Sequence, residues 1–133
     1  MIVIDTSALI AILIEEPEKK QFLEIIADAD RRLMSAVSLL EARLVIFARR
    51  GEGGVVGLHE WLAVFDAEIV PFDAGQCELA FAAFKSYGKG IDPRTRLNMG
   101  DCAAYALAKS RNAPLLFKGT DFSATDIQPA SQS

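Results

Sequence analysis

Met1-Ile2-Val3-Ile4-Asp5-Thr6-Ser7-Ala8-Leu9 reads as a strand that stops on a carboxylate and turns at once into a helix. Met1 to Ile4 is an unbroken apolar run with β-branched residues, the pattern of a strand buried on both faces. Thr6 and Ser7 are residues that cap helices, and Ala8 to Leu13 suits the helix they would start. A strand passing directly into a helix is the opening half of a strand–helix–strand unit. It makes the rest of the chain a search for further short strands separated by helices.

The search succeeds along the whole sequence. Pro17 suits the first turn of a helix over about Glu18 to Ala27, and Leu33 to Ala36 reads as a second strand. A helix is expected from Ser38 to Arg49 or Arg50, with the basic pair at its negative end. Gly51-Glu52-Gly53-Gly54 should break it, and Val55 to Phe65 should form the next helix. A strand over Glu68 to Pro71 and a helix over Gly75 to Tyr87 follow. Gly88 to Met99 reads as a loop, Asp101 to Ser110 as a helix of small residues, and Leu115 to Phe117 as a strand. Lys118 to Thr125 is expected to be a turn and short helix, and Ile127 to begin an edge strand. Strands alternating with helices predict an α/β fold, with a short, mostly parallel central sheet flanked by helices. In such sheets, sites form beyond the carboxyl ends of the strands.

The bulk numbers fit this architecture. The chain has 133 residues, 51% of them hydrophobic, enough for the core of one domain spanning 1–133. Only the polar residues Pro129 to Ser133 look like a tail. The formal net charge is −4, an uncommon sign for a nucleic-acid binder. Four carboxylates described next account for all of it, so the remaining surface is balanced. Cys77 and Cys102 form no C-x-x-C pair and read as reduced thiols. His59 lies in a predicted helix away from the acidic motifs and reads as structural. The start lacks the basic stretch of a signal peptide, and Ala8 to Ile14 is too short to span a membrane. A cytoplasmic protein with no membrane partner is expected.

The four carboxylates are Asp5, Glu41 in Ser38-Leu39-Leu40-Glu41, Asp101 in Asn98-Met99-Gly100-Asp101-Cys102, and Asp121 in Lys118-Gly119-Thr120-Asp121-Phe122. Each sits among apolar or small residues, where an unpaired charge is expensive. No run of Lys or Arg flanks all four. A divalent cation would neutralise such a group, and oxygen ligands suit Mg2+ or Mn2+. Each acid also has a plainer reading. Asp5 could accept bonds from the amides of the next helix. Ser38-x-x-Glu41 and Asn98-x-x-Asp101 both have the form of a capping box. Asp121 would be favourable at the start of a short helix capped by Thr120. None of the four motifs decides the matter alone.

Taken together and in this order, they resemble a PIN domain of the VapC-type toxin ribonucleases from bacterial toxin–antitoxin pairs. The resemblance rests on Met1 to Leu9, on Ser35-Ala36-Val37-Ser38-Leu39-Leu40-Glu41, on Asn98 to Ala108, and on Leu115-Leu116-Phe117-Lys118-Gly119-Thr120-Asp121-Phe122. It implies a three-layer PIN-like fold, with Asp5, Glu41, Asp101 and Asp121 as both catalytic acids and metal site. It also implies Thr6 and Asn98 as polar helpers. Thr120 stands where the family commonly has Asn, keeping a hydroxyl and losing an amide. The implied activity is metal-dependent hydrolysis of RNA phosphodiester bonds, with a cognate antitoxin as partner and a homodimer as assembly. Carboxylate-held Mg2+ or Mn2+ can activate water and stabilise charge on phosphate. Lys89, Arg94, Arg96 and Lys118 are candidate phosphate contacts. Two other classes remain open. One is a non-catalytic PIN-like module that binds RNA or protein. The other is a receiver-type Mg2+-binding signalling domain, although Asp5 lacks the neighbouring acid that a receiver needs.

Overall fold

A computed structural model describes residues 1–130 of the chain. Four strands form one wholly parallel sheet: β1 (Ile2–Ile4), β2 (Arg32–Ser35), β3 (Glu68–Val70) and β4 (Leu115–Leu116), in the order β3-β2-β1-β4. Val3 lies opposite Leu33 on one side and Leu115 on the other, so β1 is central. Five helices accompany the strands: α1 (Thr6–Leu13), α2 (Lys19–Asp28), α3 (Ala36–Val64), α4 (Ala74–Tyr87) and α5 (Met99–Arg111).

Side chains alternate across a strand, and the alternation here divides the core in two. Ile2, Ile4, Met34 and Leu116 point to one face, where Leu9, Ile12, Ile26, Ile46 and Leu58 of α1, α2 and α3 cover them. Val3, Leu33 and Leu115 point to the other, where Cys102, Tyr105 and Leu107 of α5 and Ala83 of α4 lie. The result is a three-layer α/β fold with a parallel sheet, as the strand–helix alternation predicts. No helix among the described residues is long and apolar enough to cross a membrane.

Two local expectations need correction and a third is narrowed. The break expected at Gly51-Glu52-Gly53-Gly54 falls on Gly51 alone, whose φ 64° and ψ −156° leave helical geometry and kink α3 between its two halves. Residues 118–125 form successive turns rather than a short helix. Gly119 takes φ 98°, and the bonds from Ser123 N to Thr120 O and Thr125 N to Phe122 O are isolated. Near Ile127 the chain makes a single bridge, Leu115 with Pro129, in place of a strand. Of the polar tail expected over Pro129 to Ser133, residues 131–133 lie outside the described residues.

Candidate functional site

β1 ends at Ile4, and Asp5 follows as the N-cap of α1. Its backbone remains part of the sheet, the Asp5 amide donating to Leu116 O at 2.9 Å. The cap is thus Asp5 itself, not Thr6 or Ser7. A short strand–helix join leaves no residue between the last sheet bond and the first helical turn. One carboxylate oxygen, Oδ2, accepts from both the amide of Ser7 at 3.0 Å and its hydroxyl at 2.6 Å. The other oxygen, Oδ1, is fully buried without a hydrogen-bond partner. Capping therefore uses half of the group and leaves a buried acceptor for something else. Burial pushes the Asp5 carboxyl up to about 7. The Ser7 bonds pull it down, and the charges of Asp101 and Glu41 push it up again.

Ser7 is the residue that sequence reasoning underused. Its hydroxyl accepts from the Lys118 amide at 3.0 Å while donating to Asp5, so it joins the ends of β1 and β4 at the carboxylate. Thr6 does something different. Its buried hydroxyl donates to Ser38 O at 2.9 Å, tying the start of α1 to the start of α3.

Glu41 is not part of a capping box. α3 starts two residues earlier than expected, at Ala36. Its cap is Ser35, whose hydroxyl accepts from the Val37 amide at 3.2 Å. Glu41 is therefore in the second turn, with its carboxylate laid against Gly100. A Cβ at position 100 would stand 2.7 Å from Glu41 Oε1 and 2.8 Å from Oε2. Only glycine permits that approach, and its place beside Asp101 in Met99-Gly100-Asp101 was the available signal. Asp101 does complete the expected box. Asn98 Oδ1 accepts from the Asp101 amide at 2.8 Å, and Asp101 Oδ2 accepts from the Asn98 amide at 3.0 Å. Burial pushes Asp101 up to about 6 against that bond, with further upward pressure from Asp121 and Glu41. Asp121 is exposed, in the turns after β4.

The four acids thus form a chain of mutual repulsion: Asp5 with Asp101 and Glu41, and Asp101 with Glu41 and Asp121. Among the described residues, no three acidic, histidine or cysteine side chains are gathered closely enough to close on one ion as they stand. The donors nevertheless suit a hard cation: all are oxygens, one is buried and unpartnered, and two are pushed toward the neutral form by burial and then by the neighbouring carboxylates.

The basic candidates are dispersed. Lys118 pairs with Glu16 and, at 3.6 Å, with Glu18. Arg94 forks onto both oxygens of Asp92. Lys89 and Arg96 line one surface hollow with Gly90 and Pro93. The Thr120 carbonyl opens the turn that carries Asp121. His59 accepts from Arg43 Nε at 3.0 Å, between the two halves of α3, and belongs to the kink.

A family model for the PIN domain matches residues 2–128. The chain belongs to the PIN-domain family. Among curated relatives of this PIN domain is Ribonuclease VapC30 of Mycobacterium tuberculosis, 51% identical over 126 residues, which cover 94% of this chain and 95% of the relative. Solved structures extend the likeness in fold. VapC20 of Mycobacterium tuberculosis, described as a Sarcin-Ricin loop cleaving toxin, superposes with a TM-score of 0.77 at 16% identity over 96% of each chain. A toxin–antitoxin complex from Klebsiella pneumoniae matches with a TM-score of 0.70 at 20% identity, over 95% of this chain and 93% of its own.

Proposed function

We propose that this PIN domain, acting as a single domain over 1–133, is an endoribonuclease and the toxin of a toxin–antitoxin pair. In this reading Asp5, Glu41, Asp101 and Asp121 hold Mg2+ or Mn2+. The observation that carries it is the unpartnered Asp5 Oδ1, buried within reach of the charges of Asp101 and Glu41. A buried acceptor with no donor is expensive, and a cation is the partner that relieves both the lost bond and the repulsion. The ribonuclease name of a relative 51% identical over nearly the whole chain supports the substrate class.

When bound, the cation supplies charge to the phosphate and makes water a better nucleophile. The protein's own groups do the rest. Ser7 fixes Asp5 with Oδ1 turned away from the cap, Asn98 fixes Asp101, and Gly100 admits Glu41. Thr6 holds α1 and α3 together beneath the site, and Thr120 starts the Asp121 turn. With His59 tied to Arg43, a carboxylate takes the proton. Lys89, Arg94, Arg96 and Lys118 are the proposed phosphate contacts. Lys118 and Arg94 must leave their acidic partners to serve. A cognate antitoxin, a homodimeric assembly and a cytoplasmic setting complete the reading. The Klebsiella pneumoniae neighbour, described as a toxin–antitoxin complex, supports the first of these.

The test uses purified chain freed of any bound antitoxin. It should cut structured RNA with Mg2+ or Mn2+ and stop when the metal is chelated. Equal cleavage in chelator would overturn the metal reading, and no cleavage under any metal would overturn the nuclease.

A further inference from the structure

Asp101, Tyr105 and Lys109 recur every fourth residue along α5 and so share one face of the helix. The segment after β4 lies along this face. At one end, Asp121 is close enough to Asp101 for their charges to repel. Two turns of helix further on, the segment's second carboxylate, Asp126, is held. Tyr105 Oη donates to Asp126 Oδ1 at 2.6 Å, and Lys109 Nζ donates to Asp126 Oδ2 at 2.6 Å. One face of one helix therefore repels a carboxylate of this segment and grips another five residues later.

The piece between them is tied by local contacts. Phe122 is buried beside Phe117, their ring centres 5.1 Å apart. Thr125 Oγ1 donates to Phe122 O at 2.7 Å and accepts from the Ile127 amide at 3.3 Å. A grip at Asp126 is transmitted through this turn to Asp121. Without it, the buried Phe122 and the bridge of Leu115 with Pro129 still anchor the backbone, but the far end of the turn no longer helps to oppose the repulsion on Asp121.

We propose that Tyr105, Lys109 and Asp126 form a positioning clamp that holds Asp121 on the Asp101 side of α5 and so sets how tightly the acidic site takes a divalent cation. The clamp rests on the metal reading above. It touches neither cation nor substrate, so these are positioning residues. Removing Lys109 alone would also remove a positive charge that repels the cation, which acts in the opposite direction. The decisive variants are therefore neutral in charge: Tyr105→Phe, and the double variant Lys109→Met/Asp126→Asn. Tyr105→Phe keeps the ring and its packing beside Tyr87, 6.0 Å between centres.

The experiment titrates chelator-stripped protein with Mn2+ alone by calorimetry and records the metal-free melting temperature of each variant. Both variants are expected to need about 3- to 10-fold more Mn2+ for half-saturation, below the ~10–100-fold loss typical of groups bonded directly to a metal ligand. Lys109→Arg, which keeps charge and donors, should bind as wild type does. Lower melting temperatures with unchanged half-saturation would make the cluster merely structural and overturn the clamp. If wild type binds Mn2+, Asp5→Asn does not, and the clamp variants match wild type, the clamp alone fails. If wild type takes no Mn2+, the metal reading fails and the clamp falls with it.

Discussion

At the scale of residues, Gly100 and Glu41 share one space. A Cβ on residue 100 would lie 2.7 Å from a Glu41 oxygen, so Gly100→Ala must move the Glu41 carboxylate. That end of a side chain moves easily, and alanine is a better helix former than glycine, by up to about 1 kcal/mol in a helix interior. Gly100→Ala should therefore melt no lower than wild type while losing roughly tenfold or more in cleavage, the scale of one displaced catalytic contact. Glu41→Gln is its companion. Because Ser35 caps α3, residue 41 has no capping duty, and Gln should leave the melting temperature in place while removing most activity. Measuring RNA cleavage beside thermal unfolding for both variants checks the pair. Full activity in either would mean that Glu41 lies outside the chemistry.

At the scale of elements, the kink of α3 concentrates on one residue. Gly51 occupies φ 64°, ψ −156°, a region open essentially to glycine. Space around it is free, so Gly51→Ala should cost only backbone strain, about 1–3 kcal/mol, read as a lower denaturant midpoint. An unchanged midpoint would mean that the two helix halves reach their packing without this geometry. The sequence offered four residues as a break; the break is there but falls on Gly51 alone, and Gly54 is glycine for a different reason. A Cβ there would meet Arg50 Cβ at 2.8 Å and Ile46 Cγ1 at 3.1 Å. It is glycine for close packing across the kink, which composition cannot distinguish from chain breaking. The Ser38-x-x-Glu41 pattern misled for a similar reason. Where β2 ends decides which serine caps α3, and a motif match carries no information on that pairing. Asn98-x-x-Asp101 was legible because its box is wholly local. The loop before α5 allows one more prediction. If Arg94 and Arg96 contact phosphates, the double alanine variant should bind RNA less tightly, with a salt dependence flatter by about one phosphate contact for each arginine. An unchanged slope would leave Arg94 as the partner of Asp92 alone.

At the scale of the whole molecule, the alternation of strands and helices carried the three-layer fold, because apolar runs of two to four residues between helices have little choice but a parallel sheet. The four acids were legible as types and positions. That clustered carboxylates would repel and some would have raised pKa values was also legible; which ones, Asp5 and Asp101, was not, since it depends on burial and on who faces whom. That state makes the site a liability to the fold. Asp5 is raised to about 7, first by burial, from an ordinary value near 3.8. Between these values the folded chain keeps a proton that the unfolded chain has released. Stability that Asp5 does not oppose at pH 4 is therefore lost as pH rises toward 7, at about 1.4 kcal/mol for each pH unit and on the order of 4 kcal/mol at most. Asp5→Asn stays neutral throughout and can still accept from the Ser7 amide. In chelator, the two proteins should melt alike only at about pH 4 and below, with the asparagine variant pulling ahead as pH rises and furthest ahead by pH 8. Added Mn2+ should reverse the order at pH 8, because binding to the folded state alone stabilises by RT ln(1 + [L]/Kd), and only wild type keeps the full donor set. Melting curves for both proteins, at two pH values with and without Mn2+, carry the whole comparison. A wild type that outlasts Asp5→Asn at pH 8 in chelator would make Asp5 a cap first, with its buried oxygen satisfied by something other than a cation.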